Sequence, residues 1–82
     1  MNKDFQIKFG EKIKNLREQK GLTQEKLSFE SNISRSHIGM IEHGKRDISL
    51  SAVFKLSRAL EINFQNLFDF DDLDLYKYNP EQ

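Results

Sequence analysis

One local pattern recurs four times in this chain and limits what it can fold into more than any other feature. An aliphatic residue precedes a helix-capping side chain, and a second aliphatic follows four positions after the cap. The instances are Leu22-Thr23 with Leu27, Ile33-Ser34 with Ile38, Ile48-Ser49 with Val53, and Ile62-Asn63 with Leu67. This is the hydrophobic staple: the cap oxygen accepts a hydrogen bond from a free amide of the first turn, while the two aliphatics clamp the entering chain. The pattern predicts helix starts near residues 23, 34, 49 and 63. An earlier helix is expected because Phe5, Phe9, Ile13 and Leu16 share one face at helical spacing. Gly21 supplies the left-handed position that stops it, and Gly44 is expected to act likewise after the third helix. Strand-like alternation is confined to Leu73-Asp74-Leu75-Tyr76. The reading is an all-α domain of five helices, at about 4–19, 24–31, 35–42, 50–60 and 64–69. No element is assigned to residues 70–82.

Eighty-two residues, 37% of them apolar, make one small domain with one core and little material for a large cleft. The formal charge is zero, but it is unevenly spread. Residues 1–68 carry twelve Lys/Arg against eight Asp/Glu, a net +4, while residues 69–82 carry one Lys against five acids, a net −4. The expected division is therefore a mildly basic domain over 1–69 with an acidic extension over 70–82. A basic body hints at an anionic partner. Cysteine is absent, which excludes disulfides, thiolate metal sites and thiol catalysis and fits a reducing compartment. His37 and His43 have no acid placed to complete a metal site, no acid–histidine pair has catalytic spacing, and no glycine-rich phosphate loop exists. The expectation is a protein without enzyme activity, metal or cofactor. No apolar run could span a membrane and no leader-like segment opens the chain, so a cytoplasmic location is expected.

The second and third predicted helices are short and are joined by only three or four residues. Such a pair must cross steeply, which is helix-turn-helix geometry, and the second helix of that motif enters the DNA major groove. At 100° per residue, the third helix turns His37, Ile38, Ile41 and Glu42 inward. Ser36, Gly39, Met40 and His43 lie on the outward arc, with Arg35 on its edge in the first turn. The outward arc holds no branched aliphatic and no acid, as a surface facing base edges requires. Around it lie groups suited to phosphate: the open N-terminus of the second helix with Gln24, and the run His43-Gly44-Lys45-Arg46.

The residue pattern from about Lys12 to Phe68 resembles the phage-repressor and Cro-like helix-turn-helix family, often called XRE. The resemblance is carried by Ile13, Leu16, Arg17, Gly21-Leu22-Thr23-Gln24-Glu25-Lys26-Leu27, Ser34, Ile38, Ile41-Glu42, Gly44-Lys45-Arg46, Ser49-Leu50, Leu56, Ala59-Leu60 and Leu67-Phe68. Within that family, Asn32–Ile38 and Arg46–Leu50 look most like the small controller proteins of restriction–modification systems. The resemblance implies a lambda-repressor-like fold and a sequence-specific transcriptional regulator that binds double-stranded DNA. It implies base contacts from Arg35, Ser36 and Met40. Backbone contacts would come from Thr23, Gln24, Ser34, His37, His43, Lys45 and Arg46. It also implies an internal salt bridge between Arg17 and Glu42. Ser28 stands where the family usually has alanine, and Phe29 and Gly39 are unusual. Gly39 costs roughly 1 kcal/mol of helix propensity and removes one possible base contact.

Phe68, Phe70, Leu73, Leu75 and Tyr76 form the candidate dimer surface, since a domain this small cannot bury every ring. A homodimer would set two reading helices about 34 Å apart on an inverted repeat. The alternative reading is an antitoxin whose C-terminal end holds a partner toxin protein while the helix-turn-helix autoregulates.

Overall fold

The computed structural model describes residues 3–69. Four α-helices follow in order, α1 (Lys3–Gln19), α2 (Gln24–Ser31), α3 (Arg35–Glu42) and α4 (Leu50–Ala59), and a 3₁₀ helix (Phe64–Phe68) closes the described chain. Among the described residues there is no strand.

Three of the four staples work through their cap. Thr23 Oγ1 accepts from the Lys26 amide at 3.0 Å, Ser34 Oγ from the His37 amide at 3.2 Å, and Ser49 Oγ from the Ala52 amide at 3.0 Å. The fourth corrects the five-helix expectation. Asn63 makes no side-chain cap bond. The following turn keeps the tighter i→i+3 pattern, with the Asn66 amide on the Asn63 carbonyl at 2.9 Å. Leu67 is still driven into the core, so burial survives where the α-helix does not.

Helix α1 ends on Gly21, at φ 71°, with the Leu22 amide reaching back to the Arg17 carbonyl at 3.0 Å. Helix α4 ends the same way on a residue ill suited to it. Glu61 takes φ 56°, and the Ile62 amide reaches back to Ser57 at 3.0 Å.

One core joins the helices. Phe9 and Ile13 of α1, Leu27 of α2, Ile38 and Ile41 of α3, and Val53, Leu56 and Leu60 around α4 are all buried. Leu22, Ile33, Ile48 and Ile62, the leading members of the staples, pack against or within this cluster. Helices α1 and α3 cross with almost no space between backbones: a Cβ at Gly10 would lie 2.3 Å from the Ile41 carbonyl oxygen. The sequence reading gave Gly10 no role. Ser28 is reconciled locally, because its hydroxyl donates to the Ile33 carbonyl across the α2–α3 turn.

The candidate dimer surface changes at Phe68. Its ring is half-buried against α1, with centroids 5.9 Å from Phe5 and 5.5 Å from Phe9. Part of the ring is therefore covered by its own chain. Phe70, Leu73, Leu75 and Tyr76 lie outside the described residues. The most exposed large apolar side chains among the described residues are Phe29 of α2 (81% exposed) and, one turn apart on α4, Leu50 (77%) and Phe54 (53%).

Candidate nucleic-acid interface

The orientation of α3 is set from beneath. Ile38 and Ile41 are buried, and Glu42 joins a buried ion pair with Arg17 of α1. Arg17 Nε donates to Glu42 Oε2 at 2.7 Å and its Nη2 to Oε1 at 3.1 Å, while Nη1 donates to the Leu22 carbonyl at 2.8 Å. The carboxylate bonds hold the guanidinium proton more tightly, raising the Arg17 pKa despite the opposing effect of burial. Gln24, the first residue of α2, adds a third bond: its Nε2 donates to Glu42 Oε1 at 3.1 Å. Three helices therefore meet at one carboxylate, and α3 is fixed against both α1 and α2. Such a forked, charge-assisted geometry fixes direction as well as distance.

The face opposite these anchors is open. Arg35 and Ser36 are exposed, and Met40 is 38% exposed despite its apolar chain. Arg35 leans on a residue that sequence reasoning missed, Glu25 of α2, whose Oε1 accepts from Arg35 Nε at 3.0 Å. Both partners are exposed, and a pair of that kind contributes only about 0–1 kcal/mol. The pair holds the side chain without binding it strongly. A basic residue in the first turn of α3 beside an acid on α2 was the signal available for it.

The candidate backbone groups divide. Thr23 and Ser34 are spent as caps, yet each hydroxyl still has its own hydrogen to donate. Gln24 has one amide hydrogen committed to Glu42. Lys45 and Arg46 are exposed after α3. His43 is exposed, and its Nδ1 lies 2.7 Å from the Gly39 carbonyl, which can only accept, so Nδ1 carries the hydrogen. A cleft of about 400 Å³ opens between the start of α1 and this turn, lined by Lys3, Gln6, Ile7, His43, Gly44 and Lys45. Lys3 and Gln6 had no place in the sequence reading, because only tertiary packing brings the start of α1 to this turn. His37 is corrected. Its ring is half-buried, its Nε2 is enclosed without a partner, and burial together with the charge of Arg46 lowers its pKa. It belongs to the inner edge of α3 and presents no Nε2 to a phosphate.

The helix-turn-helix family model, HTH_3, matches residues 13–67, which takes in the capped α2–turn–α3 unit and the helices that support it. The chain belongs to the helix-turn-helix family. Its members here include the control protein C.BamHI of Bacillus amyloliquefaciens, 38% identical over 71 residues, covering 85% of this chain and 88% of that protein. The control protein C.MunI of a Mycoplasma species is 39% identical over 66 residues, covering 79% and 89%. Among solved structures, the restriction–modification controller protein C.AhdI of Aeromonas hydrophila superposes with a TM-score of 0.74 at 45% identity, covering 76% of this chain and 94% of that one. The all-helical fold and the helix-turn-helix family membership are thereby shared with controller proteins. Among the described residues no helix is long and apolar enough to cross a membrane.

Proposed function

We propose that this protein is a sequence-specific DNA-binding transcriptional regulator of the restriction–modification controller type, reading duplex DNA through α3. The observation that carries the reading is the division of α3 itself. Ile38, Ile41 and Glu42 are buried and fixed, while Ser36 and Met40 are exposed on the other side and Arg35 at its edge. Arg35 exchanges its weak surface pair with Glu25 for a guanine edge, where two parallel N–H donors match O6 and N7. Ser36 and Met40 contact neighbouring base edges. Thr23, Gln24 and Ser34 donate to phosphates on one side of α3, and Lys45 and Arg46 to phosphates on the other, while the one ring hydrogen of His43 stays on the Gly39 carbonyl. The protein acts as a homodimer, which places two α3 helices about one DNA turn apart on an inverted repeat. Leu50 and Phe54 supply apolar surface for that pairing.

The test is fluorescence anisotropy on a duplex that the wild-type protein selects from a randomised pool. Arg35→Ala is expected to cost about 1–3 kcal/mol at one base pair, while Lys45→Ala weakens all sequences alike and lowers the salt slope by about one. A wild-type protein that selects no sequence, or an Arg35→Ala variant that weakens every duplex equally, contradicts the base-reading role.

A further inference from the structure

Glycine within a helix loses more backbone freedom on folding than any other residue, so its presence there asks for a reason. Gly10 of α1 has an internal one, and so has Gly44 in the turn after α3. A Cβ would come within 2.3 Å of the Ile41 carbonyl oxygen at Gly10, and within 2.8 Å of the Ile7 Cα at Gly44. Gly39 has none of this kind. It lies in the middle of an eight-residue helix, it is absent from the positive-φ positions, and an ideal Cβ there would meet nothing within 4 Å. The empty space opens on the outward arc of α3, one turn after the exposed Ser36 and next to the exposed Met40.

We propose that Gly39 determines sequence specificity from outside the fold: the missing side chain lets the α3 backbone approach the major-groove floor, where a base-edge group takes the volume a Cβ would fill. This deepens the DNA-binding reading and rests on it. An α-helix with its side chains is about 10–12 Å across and the major groove about 12 Å wide, so the depth of seating responds to one projecting methyl. Ser36 and Gly39 form the low part of the α3 surface. Arg35 and Met40 have the length to reach past it on either side.

The experiment compares Gly39→Ala with the wild type in two measurements. In thermal melts the variant gains stability, raising Tm by about 4–8 °C, because alanine is the better helix former and meets no obstacle. In anisotropy, on the duplex selected by the wild type, it binds about tenfold more weakly. Its salt slope is unchanged, and so is its affinity for a scrambled duplex, since no phosphate contact is lost. Opposite signs in the two measurements are the expected result. A lower Tm would reveal an internal role and overturn the proposal, as would affinity for the selected duplex within about twofold of wild type. If Arg35→Ala loses affinity for that duplex and Gly39→Ala does not, only the Gly39 proposal falls. If the wild type selects no sequence, the DNA-binding reading falls and takes this one with it.

Discussion

Removing the Glu42 carboxylate tests the architecture beneath α3. Glu42 accepts two bonds from Arg17 and one from Gln24, and the side chains of Arg17 and Glu42 are only 11% and 2% exposed. In Glu42→Ala the guanidinium stays buried and keeps only the Leu22 carbonyl among these partners. An uncompensated buried charge of this kind costs about 3–5 kcal/mol. A domain of this size is stable by only about 4–12 kcal/mol, so the variant is expected to lose a large part of that margin. Urea titration followed by circular dichroism measures the loss as a lower midpoint at unchanged slope. The companion Arg17→Met with Glu42→Leu removes both charges, and apolar replacement of a whole buried pair is often neutral or stabilising. The double variant should therefore recover most of the stability lost by Glu42→Ala, short of the Arg17–Leu22 bond. A Glu42→Ala cost under about 1 kcal/mol, the range of a solvated pair, would refute the claim that this network fixes α3.

Two further outcomes follow from single residues. Glu61 holds a left-handed conformation at φ 56° that glycine adopts without steric cost, so Glu61→Gly is expected to add about 0.5–1 kcal/mol in urea melts; a loss would mean that the Glu61 side chain has an unrecognised role. His37 is held below its ordinary value of 6.5 by burial and Arg46, so the unfolded chain takes up a proton that the folded chain resists. Its contribution is complete above that value and is lost as pH falls through it toward the folded pKa. His37→Gln should consequently lose less Tm than wild type between about pH 7.5 and 5.5, and equal losses would contradict the assignment.

What the sequence made legible was the short-range part of the fold. A cap and its staple lie within six residues, so Thr23, Ser34 and Ser49 announced their helices without help from the rest of the chain. Asn63 shows the limit: the same residue types anchor Leu67 but form no cap bond, and the segment stays 3₁₀. The outward arc of α3 was equally legible, because at 100° per residue Ser36 and Met40 each fall about half a turn from Ile38. Longer-range features were hidden. The close approach at Gly10 depends on where α3 crosses α1, and the Lys3 cleft depends on where α1 begins relative to the following turn. The exposure of Leu50 and Phe54, in a helix rich in apolar side chains, was hidden as well. His37 was placed inward by its position on the helix, and packing encloses its Nε2, which closes that nitrogen to the backbone contact implied by resemblance.

The central claim is that α3 offers one defined face to a duplex. Backbone amide shifts, recorded by NMR while the selected duplex is titrated into the protein, test it residue by residue. The account predicts that the largest changes fall on Arg35, Ser36, Gly39 and Met40, with smaller ones at Thr23, Gln24, Lys45 and Arg46. Changes concentrated on Leu50 to Arg58 of α4, with the α3 amides unmoved, would contradict it.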